Sequence, residues 1–76
     1  MRIQISVTSW FKRFTDGIAE MEIEVSDGAA AVEAVLKTGI PLKEIGFVTV
    51  NDMKVDMDHL LHEGDRLRAY PTIIGG

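Results

Sequence analysis

Seventy-six residues, 46% of them apolar and spread along the whole length, suffice for one compact domain and are too few for a second core. A net charge of −4 with eight scattered Lys and Arg residues argues against a nucleic-acid binder and fits an electropositive protein partner better. With no cysteine, the fold has no disulfide, and any sulfur chemistry must use an atom other than a thiolate.

The opening residues, MRIQISVTSW, hold no basic region followed by an apolar run and no stretch long enough to span a bilayer. No membrane association is expected, and the expected location is cytoplasmic. Residues 2–8 alternate, with Ile3, Ile5 and Val7 on one face and Arg2, Gln4 and Ser6 on the other, the two-residue period of a half-buried strand. Residues 19–25 repeat the pattern, with Met21, Ile23 and Val25 inward and Glu20, Glu22 and Glu24 forming an acidic outer face. The two segments read as an antiparallel pair.

The connection between them, residues 9–18, holds Trp10, Phe11 and Phe14 and then Asp16-Gly17, a dipeptide suited to a turn with positive φ. Aromatics this dense either fold back onto the core, the reading that suits Phe14 in particular, or form a patch for a partner. Ser26 and Asp27 are helix-capping types, and the Ala-rich run 28–37 carries Val32, Val35 and Leu36 at helical spacing. Glu33 and Lys37 stand four apart on its outer face, in the favourable order for an ion pair but read as solvated charge, and Gly39 and Pro41 mark its end.

Residues 47–50 read as a third strand, and Asn51-Asp52 as a tight turn into a short returning segment, 53–55. Asp58 is placed to cap a single helical turn over residues 59–61, after which residues 62–65 form a loop and residues 66–70 alternate as a last strand, Leu67 and Ala69 inward. This order is an α+β arrangement, a mixed sheet with one main helix packed across one face, the outline of a β-grasp. His59 and His62, three apart and without cysteine, read as surface histidines, so no metal site is expected; the methionines read as gap-fillers.

The chain ends Tyr70-Pro71-Thr72-Ile73-Ile74-Gly75-Gly76. Lacking an N–H, Pro71 is expected to release the chain from the sheet, so that residues 72–76 project as a mobile tail reaching roughly 17 Å at extended-chain rise. Gly75 and Gly76 offer a backbone without Cβ, able to thread a narrow channel. A carboxylate is a poor electrophile in water, so before Gly76 can accept sulfur it must become a mixed anhydride with AMP. No GxxxxGK[ST] loop and no evident nucleophile set occur in the chain, so that step belongs to a separate ATP-using enzyme. The chain itself reads as a carrier, not an enzyme. Tyr70, Ile73 and Ile74 are candidates for the apolar centre of a docking surface. Arg66 and Arg68, outward on the same strand, either rim that surface or pair across the sheet with the glutamates.

Residues 47–76, FVTVNDMKVDMDHLLHEGDRLRAYPTIIGG, resemble the C-terminal half of the MoaD/ThiS family of ubiquitin-like sulfur carriers. The elements stand in the family's order: Val50-Asn51, Gly64-Asp65, Tyr70-Pro71 and Gly75-Gly76. The connection over residues 10–17 looks more like the MoaD branch, whereas Thr72 stands where MoaD proteins often carry a second proline, so both branches stay open. The resemblance implies a single ubiquitin-like β-grasp domain over residues 1–76. It also implies adenylation of Gly76 by a MoeB/ThiF-like activating enzyme with ATP and magnesium, and sulfur from a donor to form a thiocarboxylate. The acceptor would be the molybdopterin precursor on the large subunit of its synthase, or the thiazole of thiamin on thiazole synthase. The carrier would bind no cofactor itself. Two other readings use the same fold: a modifier joined through Gly76 to lysine, and a regulatory ligand-binding module, which would not need its chain to stop at Gly76.

Overall fold

The computed structural model describes residues 1–72. A five-stranded mixed sheet runs in the order β2-β1-β5-β3-β4, formed by β1 (Arg2–Val7), β2 (Glu20–Glu24), β3 (Ile45–Val50), β4 (Met53–Val55) and β5 (Arg66–Pro71). β1 and β5 are parallel at the centre, and every other neighbouring pair is antiparallel. The helix α1 (Ala31–Lys37) packs on one face through Ala31, Ala34 and Val35, against Ile3, Ile5 and Val7 of β1 and Val48, Val50, Leu67 and Ala69 of the other strands. The expected β-grasp is the fold. No helix among the described residues is long and apolar enough to cross a membrane.

The alternating faces of β1, β2 and β5 fall as their sequence period dictates, with Ile3, Ile5, Val7, Leu67 and Ala69 buried and the three glutamates exposed. Between β1 and β2 the chain forms a 3-10 helix, Ser9–Phe14. Of its aromatics it is Phe11, not Phe14, that is fully buried; Phe14 is half-buried against the core. Trp10 stays 45% exposed, with the Arg13 guanidinium 3.7 Å above its ring.

Several local expectations need correction. The helix begins at Ala31, not near residue 28, and neither Ser26 nor Asp27 caps it. Gly28, at φ +82°, instead closes a turn in which the Ala29 N–H donates to the Ser26 carbonyl at 3.0 Å. The first helical N–H groups find tertiary acceptors, Ala31 donating to the His59 carbonyl and Val32 to that of Met57. Glu33, as the residue three positions into the helix, turns back to accept from the Ala30 N–H at 3.3 Å. Leu36, read as part of the apolar face, is 57% exposed.

Residues 59–61 form no helical turn. A turn between Asp56 and His59 leads instead into an isolated bridge of Leu60 with Ala30, which exposes Leu60 and buries Leu61. The Met57 and His59 carbonyls are spent on the start of α1 and are not available to a local helix.

Pro71 does not release the chain. It remains in β5 opposite Ile45, and the next residue, Thr72, donates its N–H to the Glu44 carbonyl at 3.2 Å. Successive backbone N–H groups alternate sides of a strand, so with Thr72 turned toward β3 the proline nitrogen faces the β1 side. There the pairing of β1 has already ended at Val7 opposite Ala69, and the missing N–H costs no ladder bond.

Candidate functional site

β5 carries the chain to the end of the sheet, and beyond Ala69 it is held by β3 alone. Three contacts fix this last stretch. The rings of Phe47 and Tyr70 stack at 4.5 Å and 9° on the face away from α1. Ile45 pairs with Pro71, and Thr72 bonds to Glu44. Between Ile45 and Phe47 the register shifts by a bulge at Gly46, the extra residue that β3 holds against Tyr70-Pro71.

Cations flank the stacked rings: the Arg68 guanidinium lies 5.6 Å from the Tyr70 centroid, and the Lys54 ammonium 5.1 Å from that of Phe47. An aromatic pair edged by two positive charges is suited to an interface whose partner brings apolar and acidic groups at this spot, a local reversal of the electropositive partner that the net charge of −4 favours. Next to it a shallow groove runs over the same face, lined by Gln4 and Ser6 between Glu20 and Glu22 on one side and Arg66 on the other.

The arginines do not reach the glutamates of β2, because β1 lies between them. Arg66 instead stands 3.8 Å from the Asp52 carboxylate, and Arg68 is 3.5 Å from the Ser6 hydroxyl. Both are exposed, so neither contact contributes more than about 1 kcal/mol. Arg2 makes the cross-strand pair with Glu22, at 4.0 Å.

Of the sequence candidates, the structure brings together Tyr70, Pro71, Arg68 and Arg66 at the end and outer face of β5. Of the expected mobile tail, residues 72–76, Thr72 is instead bonded to Glu44, and Ile73, Ile74, Gly75 and Gly76 lie outside the described residues. Sequence reasoning missed Glu44, Gly46 and Phe47. Phe47 faces Tyr70 across strands that are far apart in sequence, and only the strand order reveals the pair. A glycine at the start of a β-rich run was the one available signal for the bulge. His62 sits 3.9 Å from Asp65, whose carboxylate is engaged by the Asn51 amide and by the His62 N–H. Among the described residues no group of three His, Cys, Asp or Glu side chains converges as a metal site would require.

The family model described as Mut7-C ubiquitin matches residues 11–74. No curated protein matches this chain. Among solved structures, SAMP1 from Haloferax volcanii superposes with a TM-score of 0.77 at 16% identity, over 100% of both chains. The putative molybdopterin converting factor subunit 1 from Pyrococcus furiosus does so with a TM-score of 0.75 at 24% identity, over 96% of this chain and 99% of that one. A chain of the Amycolatopsis orientalis BexX/CysO complex gives a TM-score of 0.64 at 22% identity, over 97% and 99%. At these identities the likeness establishes the fold. The chain belongs to the Mut7-C ubiquitin family, a ubiquitin-like β-grasp that shares its fold with a small archaeal modifier protein and a putative molybdopterin converting factor subunit.

Proposed function

We propose that this chain is a sulfur carrier whose reactive group is the carboxylate of Gly76. A MoeB/ThiF-like partner would use ATP and magnesium to form the acyl adenylate, releasing pyrophosphate. Sulfide from a donor then attacks the carbonyl carbon, the bond to the AMP oxygen breaks with release of AMP, and loss of the sulfur-bound proton leaves a thiocarboxylate. That group would donate sulfur in cofactor biosynthesis, to the molybdopterin precursor on its synthase large subunit or to thiamin thiazole on thiazole synthase, in the cytoplasm. The reading needs Gly76 to carry a free carboxylate.

The observation that supports it best is the anchorage of Thr72 to Glu44, which fixes the chain at the sheet end only four residues before Gly76 in the sequence. The Tyr70 and Phe47 stack with its flanking cations supplies a surface beside that point for the activating enzyme. That one structural relative comes from a BexX/CysO complex agrees with docking to a partner. A second reading, conjugation of the same activated carboxylate to a lysine amine, draws on the likeness to a small archaeal modifier protein.

The test is intact mass after incubation with ATP, magnesium, an activating enzyme and a sulfide source, for the full chain and for one lacking Gly76. A gain matching oxygen replaced by sulfur, absent without Gly76, is the expected result. An unchanged mass beside a demonstrably active enzyme overturns the carrier reading, and higher-mass lysine conjugates in cells establish the modifier reading.

A further inference from the structure

Gly46 differs from most of the chain's described glycines in why it is a glycine. Gly17, Gly28 and Gly64 sit at positive φ with open space where a Cβ would stand, so backbone conformation accounts for them. Gly46 lies outside the left-handed region, and a side chain there is excluded by contact alone. A Cβ on Gly46 would stand 2.7 Å from the Pro71 carbonyl oxygen, 3.0 Å from its carbonyl carbon and 3.0 Å from the Thr72 Cα. All three are backbone atoms, which cannot rotate aside.

What those atoms belong to gives the contact its meaning. β5 is clasped on both sides through Ala69 and on one side only beyond it. A side chain at position 46 would therefore be relieved where the strand is held least, by lifting the Pro71–Thr72 peptide away from β3. The Thr72 to Glu44 hydrogen bond would be lost while the paired body of the sheet stays in place.

We propose that Gly46 is a positioning residue for the C-terminal reaction: its missing Cβ lets Pro71 and Thr72 lie across the β3 bulge, setting where the chain leaves the domain toward a partner's catalytic centre. The inference rests on the carrier reading. Four residues beyond Thr72 reach at most roughly 14 Å, so a displaced exit is not absorbed by a long linker. Misplacement by about 1 Å at a reacting group can cost up to a hundredfold in rate, and a loss of at least about tenfold is expected here.

The experiment compares wild type, Gly46→Ala, and Gly46→Ala with one glycine inserted after Thr72, each titrated against the activating enzyme with ATP and magnesium. Amide exchange of Thr72 and of Val48 is followed by NMR. Gly46→Ala is expected to lower kcat about tenfold with KM little changed, to speed exchange at Thr72 and not at Val48, and to recover activity with the longer tail. Partial unfolding would instead raise the apparent KM and leave kcat intact, because only the active concentration falls.

If Gly46→Ala does not fold, the wild-type chain with one glycine inserted after Thr72 carries the test, since it moves the reacting end relative to the fixed exit, leaves the core untouched and is expected to lower kcat. A folded insertion chain activated as well as wild type then overturns the inference. A wild-type chain that gains no mass from an enzyme active on another carrier overturns the carrier reading and this inference with it. A wild-type chain that is activated, beside a Gly46→Ala chain activated equally well, overturns this inference alone.

Discussion

The side-chain amide of Asn51 donates to the Asp65 carboxylate at 2.9 Å, joining the turn after β3 to the loop before β5. The Arg66 N–H donates to the Asn51 side-chain oxygen at 3.0 Å, and the His62 N–H to the other Asp65 oxygen at 2.8 Å. Asn51 and Asp52 have φ of 50° and 71°, the doubly left-handed turn in which Asn and Asp are tolerated. Asp65 is buried and its carboxylate accepts from two donors, so its removal loses two charge-assisted hydrogen bonds at once. Asp65→Ala is expected to destabilise the domain by about 2–3 kcal/mol, and Asn51→Gly, which keeps the turn geometry, by about 1–2 kcal/mol. Urea titration followed by circular dichroism measures both, and equal losses would show that turn conformation, not the shared hydrogen bonds, sets the cost.

The neighbouring aromatics of the 3-10 helix should behave oppositely. Phe11 is fully enclosed, so Phe11→Ala should cost about 3–5 kcal/mol. A domain of this length has about 4–11 kcal/mol in all. Trp10 is 45% exposed and packs mainly under Arg13, so Trp10→Ala should cost about 1 kcal/mol or less. Thermal unfolding of the two variants side by side distinguishes them; a Trp10→Ala loss as large as that of Phe11→Ala would mean the indole is a core residue.

Much of the fold was legible because its signals are local. The periods of β1, β2 and β5, the Asn51-Asp52 turn and the buried set Ile3, Ile5, Val7, Leu67 and Ala69 all follow from alternation and turn chemistry. The misreadings fall where tertiary partners override local ones. Ser26 and Asp27 are good caps, but the N–H groups at the start of α1 are satisfied by the His59 and Met57 carbonyls, 25 or more positions downstream. Pro71 breaks strands, yet it lies in one because β1 has stopped beside it. Val50-Asn51 and Gly64-Asp65 were read as separate motifs, and only the paired strands show them to be one hydrogen-bonded unit. The same limit hid Phe47, whose role comes from a ring on another strand.

The Phe47 and Tyr70 pair should contribute to stability and to docking in different proportions. Offset rings at this separation couple by about 0.5–1.5 kcal/mol beyond the area they bury. A double-mutant cycle through Phe47→Ala and Tyr70→Ala is expected to return a coupling in that range from denaturant unfolding. Lys54→Ala and Arg68→Ala, which remove the flanking cations and no core atoms, should leave stability within about 0.5 kcal/mol. If the stacked face docks the activating enzyme, those two variants raise KM and steepen no unfolding curve; unchanged KM in both would place the docking surface elsewhere.

Gly75→Val separates the chemistry of the chain end from the stability of the domain. The core described above uses no residue beyond Ala69, so the substitution should change unfolding free energy by no more than about 0.5 kcal/mol. A β-branched side chain beside the reacting carboxylate, however, adds bulk where the carrier reading requires a bare backbone to pass into a partner's channel, and it restricts φ and ψ there. Formation of the thiocarboxylate should fall by about a hundredfold, because a reacting group held even slightly out of line loses that much rate. Mass spectrometry of the sulfur-loaded form reads the first quantity and calorimetry the second. A Gly75→Val chain loaded at the wild-type rate would mean that the partner does not enclose the tail, and an equal loss of stability would mean that the terminal residues belong to the folded body.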